Sequence, residues 1–150
     1  MIYSVDTTIE VAVQPTEVTD RVVAVVQNLF PDATIEERPA TTDATDGQPA
    51  GEIVATTHSL EHLSELFHEQ AILDTARSAM MDGIDAETDT FQFRLKKQAA
   101  FEEVVNFAVG NPDELGDVRV TVTVEEPDPE TYIQYLAPPT EEGVPIDDDQ

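Results

Sequence analysis

Three stretches of the chain alternate apolar and polar residues with a period of two. In the first, Tyr3, Val5, Thr7, Ile9, Val11 and Val13 alternate with Ser4, Asp6, Thr8, Glu10, Ala12 and Gln14. The second sets Phe91, Phe93 and Leu95 against Gln92, Arg94 and Lys96, and the third runs through Val118, Val120, Val122 and Val124. Successive side chains of a strand point to opposite faces, so this period marks strands with one dry and one wet face. A chain with three such strands must build a sheet and cover one side of it.

The covering elements have the helical period. Val18, Val22, Val25, Val26 and Leu29 recur three and four apart, which predicts a helix over 16–30, with Thr16 as its cap and Glu17 in its first turn. Pro15 and Pro31 bound it. Ser59 caps a second helical region that reaches Gly83, and its apolar pattern (Leu60, Leu63, Phe67, Leu73, Ala76, Met80) drifts near 69–71. That drift predicts a kink or two helices. Asp128 and Pro129 open a short last helix that ends near Leu136.

Further strands are expected at Ala33–Arg38, Gly51–Thr57 and Val104–Val109, with turns at 85–89 and a helical turn at 97–103. Residues 39–50 are small and polar and read as a mobile loop, around which the two flanking strands can pair as a hairpin. The expected order is β-α-β-β-α-α-β-β-β plus a short C-terminal helix. The class is α+β, a largely antiparallel sheet with helices packed on one face. Residues 1–137 form the single domain, and 138–150 an acidic, frayed tail.

Composition narrows the habitat. The 150 residues include 32 Asp plus Glu against 7 Lys plus Arg, a formal net charge of −25. The acids are scattered over every element, as in a chain adapted to molar salt, where a Debye length of about 3 Å screens self-repulsion. A halophilic origin is therefore the expectation, preferred to disorder or nucleic-acid mimicry. Cysteine is absent, and no apolar run approaches the roughly 20 residues that span a bilayer. No basic-then-apolar leader opens the chain, so a cytoplasmic location is expected.

Several runs together carry a resemblance. They are Pro15-Thr16-Glu17, Asn28-Leu29-Phe30-Pro31, Ser59-Leu60-Glu61, Gln70 to Arg77, Lys97-Gln98-Ala99-Ala100, Val105-Asn106-Phe107 and Leu136-Ala137-Pro138. In this order the chain resembles the archaeal uncharacterised-protein family UPF0201, over nearly its whole length except the loop at 39–50 and the tail. The resemblance implies a predicted RNA-binding protein. It also implies a fold likened to double-stranded-RNA-binding domains and to a ribosomal protein that binds the small RNA of the large subunit. The family often has a neutral Asn before the Lys-Gln-Ala-Ala run, where this chain has Lys96. Lys97 therefore carries over best from the basic cluster.

Phe91–Phe101 holds three of the seven cations, Arg94, Lys96 and Lys97. With Arg119 from the last strand, Arg94 and Lys96 can meet phosphates on the open sheet face, while Lys97 and Gln98 are expected at its edge. The bland alternative is a solvated strand face paired with abundant acids. Arg77 is a further candidate for an RNA backbone or subunit contact, against a local ion pair with Asp74, three residues earlier. Charge alone is a weak source of binding in salt. Three phosphate contacts give a slope near about −2.7, so a rise from ~0.1 to ~3 M loses roughly 10⁴ in affinity. Shape, 2′-hydroxyl contacts or stacking would have to supply the rest.

His58 and His62 have ligand-like spacing, but His58 precedes the helix and no Glu directly follows it, so no metal site is expected at these or at His68. Phosphate loops and nucleophile elbows are also absent from the sequence. The expectation is a non-catalytic RNA-binding protein without cofactor; a homo-oligomeric interaction module, in its simplest form a homodimer, is the alternative.

Overall fold

The computed structural model describes residues 4–13, 17–39, 51–108, 117–126, 128–138, 140–141 and 144–145. The main sheet has the order β2-β3-β1-β6-β5-β4, formed by β1 (Ser4–Val13), β2 (Thr34–Pro39), β3 (Gly51–Thr57), β4 (Ile84–Asp85), β5 (Thr90–Lys96) and β6 (Asp117–Glu126). Every neighbouring pair is antiparallel. The expected hairpin around 39–50 is present as the β2–β3 ladder. A separate two-stranded ladder joins β7 (Thr140–Glu141) and β8 (Val144–Pro145).

Register aligns the apolar faces. Ile9 lies between Ala55 and Val120, Val11 between Ile53 and Val118, and Phe91, Phe93 and Leu95 oppose Val122, Val120 and Val118. All of these side chains are buried, each contributing about 1.5–3 kcal/mol relative to exposure where large. The helices lie over this face: α1 (Thr19–Leu29), α2 (Glu61–Glu69), α3 (Leu73–Asp82), the single turn α4 (Lys97–Ala100) and α5 (Pro129–Leu136). Val22, Val25, Val26 and Leu29 of α1 are buried, as are Leu73, Ala76 and Met80 of α3 and Tyr132, Ile133 and Leu136 of α5.

The drift at 69–71 marks two helices. Ala71 takes φ 56° and Ile72 N–H donates to Phe67 O at 3.0 Å, a left-handed stop without glycine. The Asp128 carboxylate accepts from Thr131 N–H at 2.8 Å, with Pro129 at the first helical position. Ser59 Oγ accepts from Glu61 N–H at 3.3 Å, but the N-cap of this helix is Leu60, so the cap expected at Ser59 is not formed. Gly83 is required by proximity: a Cβ there would stand 1.9 Å from Gln92 O across the β4–β5 edge.

Three further expectations are corrected. Of the strand expected at Val104–Val109, the described residues 104–108 form none; they meet β5 through the isolated bridge Leu95↔Phe107. Glu103 turns left-handed (φ 61°) after α4, and the chain regains β5 only at Asn106–Ala108. Ile84–Asp85 pairs with β5 where only a turn was expected from residue 85. The first helix begins at Thr19, behind Val18 without a side-chain cap, so Glu17 precedes it. Tyr3, Pro15, Thr16, Val109, the loop beyond Pro39 and the end of the tail lie outside the described residues.

Candidate nucleic-acid interface

Among the described residues, one face of the sheet carries no helix, and its residues are those out of phase with the core. Arg94 and Arg119 are cross-strand partners there, and Lys96 is partnered with Asp117. Arg94 Nη1 donates to Asp117 Oδ2 at 2.9 Å, with the aspartate side chain only 5% exposed. Arg119 is exposed and forms no ion pair among the described residues; its other cross-strand neighbour is Glu10. Lys96 is half-buried. Two of the expected cations and a lysine therefore do share one patch.

Beside the arginines runs a row that sequence reading missed. Thr34, Thr56, Thr8, Thr121 and Gln92 are successive cross-strand partners over five strands. At about 4.8 Å per strand spacing the row extends roughly 19 Å. All five side chains are exposed or half-buried. Each threonine is out of phase with its apolar neighbours, and only register shows that they line up.

Lys97 belongs elsewhere. It is buried, and its Nζ donates to Ala12 O at 2.7 Å and to Glu17 Oε1 at 2.9 Å. Its place at the sheet's exposed edge is thereby overturned: residue 97 is in phase with Phe91, Phe93 and Leu95, so the strand sends it inward. Gln98 is exposed on α4, which packs beside α1, away from the arginine patch. Arg77 lies in the helix layer; its Nη2 donates to Asp74 Oδ1 at 2.7 Å and its Nη1 to Ala137 O at 3.4 Å. The local pair forms, and the arginine also caps the end of α5. It is not brought together with Arg94 and Arg119.

Other residues of the same runs tie elements together. Asn28 Nδ2 donates to Ala100 O at 3.1 Å. The Gln70 side chain donates to Glu103 O and accepts from Val105 N–H, both at 2.9 Å, and Ser64 Oγ donates to Leu136 O at 2.6 Å. The histidines are engaged locally: His58 with Asp6 at 2.9 Å, His62 with Glu65 at 3.7 Å, and His68 with Ser64 O at 2.9 Å. Among the described residues no three His, Asp or Glu side chains converge as metal ligands, and no helix there is long and apolar enough to cross a membrane.

An antiparallel sheet with helices on one side agrees with the comparisons. A family model described as RNA binding matches residues 6–125. A UPF0201 protein of Thermococcus kodakarensis is 38% identical over 142 residues, covering 93% of this chain and 94% of that one. The crystal structure of a UPF0201 protein from Methanococcus jannaschii superposes with a TM-score of 0.82 at 33% identity, covering 95% of this chain and 99% of that one. A UPF0200/UPF0201 protein of Archaeoglobus fulgidus is 32% identical over 143 residues, and the chain spans 40% of its length. The chain belongs to the archaeal UPF0201 family.

Proposed function

We propose that this chain is a non-catalytic RNA-binding protein that receives structured RNA on the open face of its sheet, in a cytoplasm rich in salt. The observation that carries the reading is the register of that face, which sets Arg94, Arg119 and Lys96 beside the row of threonine hydroxyls. The arginines hold phosphates and fix orientation; the hydroxyls meet 2′-hydroxyls and phosphate oxygens across the wide, shallow minor groove of A-form RNA. Hydrogen bonds between neutral groups lose less to screening than ion pairs do. This division suits a chain with a net charge of −25, and membership in a family described as RNA binding supports it.

The test compares RNA and DNA hairpins of matched sequence in about 0.2 M and about 2 M KCl, using the native chain and a Thr8→Val/Thr121→Val variant. Valine keeps the strand-forming shape and removes only the hydroxyls. The expected result is preference for RNA in both salts and a loss of roughly ten-fold in the variant, from about 0.5–1.5 kcal/mol per hydrogen bond. Equal binding to DNA, with no change in the variant, would refute the assignment of the face. A stable dimer that binds neither hairpin would support the oligomeric module instead.

A further inference from the structure

The open face continues around the sheet edge into a cleft. Two partial neighbours accompany the outer side of β5. Gly83 O accepts from Gln92 N–H at 3.1 Å; beyond, Ala108 N–H donates to Arg94 O at 2.9 Å and Asn106 O accepts from Lys96 N–H at 2.8 Å. Between them, level with Phe93, lies a cleft of about 390 Å³ whose lining includes Arg94, Arg119, Gln92, Phe107, Ala79 and Asp82.

The lining draws on both sides of the sheet. Arg94 and Arg119 belong to the open face. Phe107 lies on the helix side, its ring centroid 5.8 Å from that of Phe93 and 5.9 Å from that of Phe67, and Ala79 and Asp82 come from the end of α3. With 7 cations among 150 residues, two guanidinium-bearing residues directly across from each other repel unless something negative lies near both. Asp117 answers Arg94, and Arg119 lies exposed between its two cross-strand neighbours, Arg94 and Glu10.

We propose that this cleft takes a single unpaired nucleotide of RNA, its phosphate on the Arg94–Arg119 side and its base against Phe107. Gln92 and Asp82 offer hydrogen-bonding groups to the base edge. Pockets that enclose one small ligand measure about 300–1,000 Å³, so this cleft fits one nucleotide and excludes a duplex. Base-to-aromatic contact does not depend on charge and keeps its value in salt. The inference rests on the RNA-binding reading above and deepens it, since duplex lies on the face while a bulged or terminal nucleotide enters the edge.

The experiment measures binding of two RNA hairpins that differ by one bulged nucleotide, in about 1 M KCl. The native chain and two cleft-filling variants, Ala108→Trp and Ala79→Leu, are compared, each checked for a native melting transition. The expected result is at least ten-fold tighter binding of the bulged hairpin by the native chain. That preference disappears in whichever filling variant folds, with closed-hairpin affinity retained. Equal affinity of the native chain for both hairpins would overturn the cleft and leave the face reading standing. If neither hairpin binds, the face reading fails, and calorimetry with adenosine and guanosine 5′-monophosphates decides the cleft. Binding that the filling variants abolish would sustain it; no binding, or competition by inorganic phosphate at equal strength, would overturn it.

Discussion

Replacing Lys97 by methionine removes an ammonium group that is fully enclosed, while the Glu17 side chain beside it is only 8% exposed. Methionine restores most of the volume, so the perturbation is electrical. Ala12 O and Glu17 Oε1 lose donors at 2.7 and 2.9 Å. Breaking a buried pair from one side costs about 3–5 kcal/mol, consistent with two hydrogen bonds to a charged donor at about 1.5–3 kcal/mol each. For a chain of this size that lowers the melting temperature by roughly 6–20 °C, at about 2–4 °C per kcal/mol. The assay is urea unfolding at several KCl concentrations, with Glu17→Leu and the double variant completing a cycle. The double variant is expected to recover much of the loss, because it leaves no carboxylate buried beside a missing partner. The penalty is expected to persist in molar salt, which screens exposed pairs far more than buried ones. RNA affinity below the melting point should not change. A penalty under about 1 kcal/mol, or lost RNA affinity at unchanged stability, would refute the buried role.

Gly83→Ala is expected to cost about 1–3 kcal/mol by overpacking, since its Cβ would stand 1.9 Å from Gln92 O; hydrogen exchange should show the loss concentrated at the β4–β5 edge. Gln70→Ala removes both hydrogen bonds that hold Glu103 and Val105, with an expected loss of about 1–3 kcal/mol and faster proteolysis between α4 and Ala108. Arg119→Ala should lower the slope of log affinity against log salt by about 0.7–0.9 for RNA, read from a titration over KCl.

The sheet was legible in the sequence because its strands alternate cleanly. Phe91, Phe93 and Leu95 set the boundaries of β5, and Val118 to Val124 the core of β6. Val105 and Phe107 keep the same parity yet make only a bridge, because the backbone turn at Glu103 is invisible in a pattern of apolar residues. Lys97 shows the opposite failure. Its parity pointed inward, but its charge argued for the surface, and the partner that resolves the conflict lies far away at Glu17. That Arg94 and Arg119 share a face followed from parity, but their direct pairing did not, because a strand at Val104–Val109 was expected between them. The threonine row needed register, which depends on how Thr8, Thr56 and Thr121 align across three separate strands.

The position of β1 has a consequence for how the chain is made. It stands at the middle of the sheet, between β3 and β6, and its ladder with β6 runs from Ser4↔Glu126 to Val11↔Val118. During synthesis β1 can pair with β3 early, but its second edge stays open until β6 emerges. Contacts of such long sequence separation close slowly, and an open edge with an alternating apolar face invites strands of other chains. Asp6 and Glu10, on the polar side of β1, are charges of the kind that hinder such pairing, so they guard the seam while the chain waits for its last partner.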